Sequence, residues 1–111
     1  MYKKPSGIKT IEEVFNKGRQ SVNFKGIYKF GSLKLRVTII RDSYDCQNRC
    51  KVEVFNQSEL KWNHVDSIHY NEMKSNSVFY QKSPEQLSHS DKSSFRMDTN
   101  RLLNSAKTIL S

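Results

Sequence analysis

No stretch of this 111-residue chain approaches the 18 or so consecutive apolar residues that a membrane span requires. Met1-Tyr2-Lys3-Lys4-Pro5 leads into no apolar segment of the kind a secretory leader carries, so the expected setting is the cytoplasm, with no membrane partner. Two cysteines, Cys46 and Cys50, are too few for a disulfide scaffold; in a reducing compartment they are thiols or metal ligands. The chain is too short for doubly wound nucleotide-binding folds and for (β/α)₈ barrels, and its length suits one domain with one modest core. Several catalytic signatures are also missing: a Gly-rich phosphate loop, Gly-x-Ser-x-Gly and His-Glu-x-x-His. Glu53-Val54-Phe55 lacks the lysine that a metal-dependent nuclease places after its glutamate. His64, His69, Tyr44 and Tyr70 offer acid and base groups for a small ribonuclease, but no spacing selects them, and the expectation is a protein without catalysis.

What is present is positive charge. The 19 Lys and Arg against 11 Asp and Glu give a formal charge of +8. Residues 1–41 hold ten cations against Glu12 and Glu13 and so carry +8, residues 42–70 carry −2, and residues 71–111 carry +2. An asymmetry of this kind is the electrostatic footprint of a protein with a polyanionic partner. A hydrophobic fraction of 35% is low, yet it includes enough branched and aromatic side chains to fill a small core and argues against disorder.

The patterning predicts an α+β domain. Thr10-Ile11-Glu12-Glu13 reads as a capping box, with Ile11, Val14 and Phe15 at helical spacing and Gly18 as a terminator, so a short N-terminal helix is expected over roughly 10–18. Val22 to Phe30 and Leu33 to Ile40 alternate with period 2 around Gly31-Ser32, the signature of a two-residue type II′ hairpin. Pairing Phe30 with Leu33 sets Lys29 across from Lys34, Tyr28 across from Leu35, Ile27 across from Arg36 and Lys25 across from Thr38. One face of this hairpin is apolar and the other carries Lys25, Lys29, Lys34 and Arg36. Lys51 to Phe55 and Leu60 to Tyr70 form a second hairpin with a bulge expected near His64, where the apolar phase slips between Trp62 and Val65. A short strand is expected at 77–81 and a mobile Ser-rich loop around 82–96. Asp98 then caps an amphipathic C-terminal helix that carries Leu102, Leu103, Ala106, Ile109 and Leu110. The total is a single domain, 1–111, with a twisted antiparallel sheet of four to five strands and a helix at each end.

Two constellations carry chemistry. Lys25, Lys29, Lys34 and Arg36 on one hairpin face, extended by Lys9 and Arg19, suit the phosphates of DNA or RNA or an acidic protein surface. Set against this, any sheet with one buried face presents solvated polar residues on the other. Phe24-Lys25-Gly26-Ile27-Tyr28-Lys29-Phe30 resembles the strands of RNA-recognition domains, but its aromatics fall on the apolar side, away from the lysines. The second constellation is Cys46, Cys50, His64 and His69, whose donors and spacings approach a Cys₂His₂ zinc site. That pattern needs both histidines on a helix, in a segment that reads as strand. The expected state is therefore without cofactor, with structural zinc as the alternative.

A single alanine beside 13 lysines, 9 asparagines and 15 serines is the composition of an AT-rich coding sequence, as in many phages and mobile elements. Arg41-Asp42-Ser43-Tyr44, Val52-x-Val54, Trp62-Asn63-x-Val65-x-Ser67-Ile68 and Leu102-Leu103-x-x-Ala106-x-x-Ile109-Leu110 together resemble small bacteriophage-encoded accessory proteins. The resemblance implies an accessory role in the host cell cytoplasm. Two expectations stand: from the basic hairpin face, a non-catalytic nucleic-acid-binding or nucleic-acid-associated protein; from the resemblance, an interaction module that inhibits or modulates a host complex.

Overall fold

A computed structural model of the chain describes residues 3–17, 21–42, 48–68 and 89–111. Five antiparallel strands, β1 (Ile8–Lys17), β2 (Ser21–Phe30), β3 (Leu33–Asp42), β4 (Asn48–Asn56) and β5 (Lys61–Ile68), lie in sequence order, and one helix, α1 (His89–Leu110), covers one side of the sheet. The domain is α+β, as the patterning predicts.

The β2–β3 hairpin has the expected register, from Phe30↔Leu33 through Lys29↔Lys34, Tyr28↔Leu35 and Ile27↔Arg36 to Lys25↔Thr38. Gly31 has φ 61° while Ser32 stays at negative φ, which is the type II′ geometry that matches the twist of the flanking strands. The β4–β5 hairpin closes through Gln57–Leu60. There the Asn56 Oδ1 accepts from the amides of Ser58 at 3.0 Å and Glu59 at 3.1 Å, and Leu60 takes φ 52°. The expected bulge is present: Val52 pairs with Asp66 and Glu53 with His64, so Val65 is the extra residue and turns in against the core.

The expected N-terminal helix over 10–18 is not formed; these residues belong to strand β1. The reason is a second bulge. Thr10 pairs with Tyr28 and Glu12 with Ile27, leaving Ile11 as the extra residue, 57% exposed. A one-residue insertion shifts the period-2 phase and mimics helical spacing in the sequence. An isolated two-turn helix is marginal in water, whereas strand pairing satisfies the same backbone groups and buries Phe15 against Phe24 and Phe95.

The C-terminal helix, described over His89–Leu110, is already formed well before Asp98, so the later part of the Ser-rich stretch expected as a loop around 82–96 is helical. Residues 82–88 and the expected strand at 77–81 lie outside the described residues. Phe95, Thr99, Leu102, Leu103 and Ala106 are buried at helical spacing, and Phe95 draws the helix N-terminal end onto the sheet. Thr99 is tolerated in this core because its hydroxyl donates to the Phe95 carbonyl at 2.8 Å.

Under the helix the sheet presents rows of apolar residues: Phe24, Ile39, Cys50 and Ile68 in one, Val37 and Val52 in the next, and Tyr28, Leu35 and Val54 in the one after. Gly26 belongs to the same face, between Glu13 and Val37. A Cβ at Gly26 would collide with the Tyr28 hydroxyl, because the Tyr28 ring lies back over the glycine and its hydroxyl donates to Glu13 Oε2 at 2.6 Å. Burial first, and then the bond to Glu13 and that carboxylate's charge, push the Tyr28 hydroxyl pKa far above its ordinary value.

Candidate functional site

The strand alternation that sends the core residues toward the helix sends the complementary set to the opposite, open face. Lys9 pairs with Lys29, and Lys29 with Lys34, so three lysines stand abreast on three adjacent strands. The next row runs Glu12, Ile27, Arg36, Glu53, His64, and the one after it Val14, Lys25, Thr38, Lys51, Ser67. In these three rows six cations face Glu12 and Glu53, for a net charge of +4. Lys9, Lys25, Lys29, Lys34 and Lys51 are exposed. Cross-strand neighbours have Cβ atoms about 5 Å apart, and like charges at that distance destabilise the ladder by a few tenths of a kcal/mol per pair.

Arg36 has a different role from the lysines. Its Nε and Nη2 donate to Glu53 Oε1 at 3.0 and 2.9 Å, and its guanidinium lies 4.4 Å from the centre of the Trp62 ring. Lys51 Nζ stands 4.0 Å from the other Glu53 oxygen. Glu53 is only 8% exposed and pairs with these two neighbours, so its charge is set against Arg36 and Lys51 and not against the Lys9, Lys29, Lys34 row. Trp62 pairs directly with Phe55 on this open face, ring centres 5.2 Å apart at 64°. Reading the sequence for aromatics near the lysines found those of β2, which face the helix, and missed Phe55 and Trp62. The signal was available: in Lys51-Val52-Glu53-Val54-Phe55 the phenylalanine shares its phase with Lys51, and a four-residue turn brings Trp62 opposite it.

Of the expected cationic residues, Lys9, Lys25, Lys29, Lys34 and Arg36 thus share one face, and Lys9 reaches it from a strand and not from a helix end. Arg19 lies outside the described residues. The four candidate zinc ligands are not brought together where they are described. Cys50 is buried on the helix side, paired with Ile68, while His64 is exposed on the open face, paired with Glu53, so the sheet itself separates them. Cys46 and His69 lie outside the described residues, as do Tyr44 and Tyr70. Among the described residues no group of three or more His, Cys, Asp or Glu side chains is placed to hold a metal ion.

On the helix side, a cleft of about 280 Å³ between β5 and α1 is lined by Asp66, Arg101, Asn104 and Ser105 among others. The Ser105 hydroxyl donates to Asp66, and this bond is the first cause that holds the Asp66 carboxyl below its usual range; partial desolvation opposes it, and the Ser67 amide and the charges of His64 and Arg101 assist. The serine hydroxyl is engaged with the Asp66 carboxylate, and the pair tethers the helix to the sheet. No described helix is long and apolar enough to cross a membrane. Comparison with protein-family models, with curated proteins and with solved structures finds no match.

Proposed function

We propose that this is a small, non-catalytic nucleic-acid-binding protein of accessory type that lays its open sheet face against the phosphate backbone. The observation that carries the reading is the row Lys9, Lys29, Lys34, in which three like charges are set side by side at a standing cost to the fold. A polyanion removes that repulsion and gains the release of its condensed counterions. Lys25 and Lys51 widen the contact, while Arg36, committed to Glu53 and Trp62, acts as part of the framework of the face.

Contacts of this kind give affinity that tolerates sequence and falls steeply with salt. The test is a triple substitution, Lys9→Ser, Lys29→Ser and Lys34→Ser, compared with wild type by fluorescence anisotropy on labelled oligonucleotides across a salt series. Each lysine removed is expected to lower the slope of log affinity against log salt by about 1. A triple variant with unchanged affinity and slope would sink the reading.

A further inference from the structure

Resting on that reading, we infer that the ligand of the open face is single-stranded nucleic acid, with Trp62 and Phe55 as the platform on which its bases stack. Carrying the β3–β4 register one step beyond Leu35↔Val54 sets Lys34 beside Phe55, which pairs with Trp62. One row across all five strands therefore reads Lys9, Lys29, Lys34, Phe55, Trp62. Cations occupy one end and aromatic rings the other, which is the pairing of backbone track and stacking surface that single strands require.

Width keeps this face out of the major groove of a duplex. Four inter-strand spacings make the face about 19 Å across. The major groove is roughly 12 Å wide and admits a helix or a two-stranded ribbon, not a five-stranded sheet. Base faces in a duplex are covered by their neighbours in the stack and are reached only at the cost of unstacking, whereas a single strand offers them to the rings directly. The aromatic pair also lies on the opposite face from the buried core, where its half-buried rings are free of the main packing task. Arg36 completes the platform: held by Glu53 and set over the Trp62 ring, it places a planar cation of the kind that itself stacks on bases.

Trp62 is the sole tryptophan, so emission excited beyond the tyrosine band reports this site alone. The full chain is titrated with a twelve-nucleotide oligothymidylate, with an oligouridylate of the same length and with a duplex of the same length, following both tryptophan emission and anisotropy. The expected result is quenching on addition of single strands and an affinity for at least one of them about tenfold above that for duplex. Which single strand binds more tightly separates DNA from RNA as the source of the same chemistry. Phe55→Leu, checked for folding by circular dichroism, should weaken single-strand binding about 5- to 100-fold, the worth of one stacked base, without changing the salt slope. Duplex bound as tightly as single strand with emission unmoved would overturn this inference and leave the cationic-face reading standing. Failure of every oligonucleotide to bind would overturn both. The wild-type titration needs no variant to fold.

Discussion

The two faces of this sheet are built from the same strands and obey opposite rules. On the helix side Leu35, Val37, Ile39, Val52 and Phe95 are fully buried, and three polar groups that reach in there are matched: Thr99 to a helix carbonyl, Tyr28 to Glu13, Asp66 to Ser105. On the open side three lysines stand together with no described carboxylate opposite them in their row. One face satisfies its groups within the chain, and the other holds a pattern of charge and ring that, on the reading proposed above, a nucleic acid completes. The difference separates residues that hold the fold from residues available for binding.

Substitutions that act on one face only test this division. The largest effect belongs to the helix side. Phe95→Ala removes the ring that meets Phe15 edge-on at 5.3 Å and Phe24 at 6.3 Å, and should cost about 3–5 kcal/mol in urea unfolding while leaving the oligonucleotide affinity of the folded fraction unchanged. A loss below about 1 kcal/mol would show that the helix N-terminal half is not part of the cooperative core.

A smaller effect is read by pH. The folded state keeps the Tyr28 hydroxyl protonated well above its ordinary value near 10, so above that value the unfolded chain binds fewer protons than the folded one. The stability contributed by this group is complete below pH 10 and declines as pH rises, by about 1.4 kcal/mol per pH unit for one group. Tyr28→Phe should therefore be less stable than wild type at pH 8 through loss of the bond to Glu13, and the gap should shrink between pH 10 and 11. A constant gap would mean that Tyr28 titrates alike in both states.

The smallest effect has the opposite sign. Lys29→Thr relieves two like-charge neighbours, Lys9 and Lys34, and should raise stability by about 0.5 kcal/mol at low salt. The gain should vanish near 1 M salt, where the screening length is about 3 Å. A substitution that stabilises the fold and weakens oligonucleotide binding would draw the line between the faces most sharply; a destabilising one would erase it.

Legibility followed the range of the interactions. The β2–β3 hairpin was readable pair by pair because Gly31-Ser32 is a two-residue turn, and a turn that short sets register directly. The bulge at Val65 was readable because it breaks an alternation that resumes on the far side. Strand β1 was not, since its bulge at Ile11 falls within a capping-box sequence and local chemistry there favours helix. The helix start was hidden for a related reason: Ser93 and Ser94 suggest loop, and only contact with Phe15 and Phe24 makes Phe95 part of the amphipathic face. Within the candidate site, Lys25, Lys29, Lys34 and Arg36 were legible from alternation, while the alignment of Lys9 beside Lys29 needed the pairing of β1. The Arg36, Glu53 and Trp62 cluster joins three strands and has no local signature.

By itself the sequence determined the class of fold, the central hairpin with its apolar and basic sides, and the concentration of charge in the first 41 residues. These depend on period-2 alternation and turn chemistry, which act over a few neighbouring residues. Tertiary structure decided that β1 is a strand, that α1 includes Phe95 ahead of Asp98, that Cys50 and His64 lie on opposite faces, and that Trp62 and Phe55 share a face with the lysines. Each of these outcomes turns on pairing or burial between distant segments, and the energy of those contacts exceeds the weak local preferences they override.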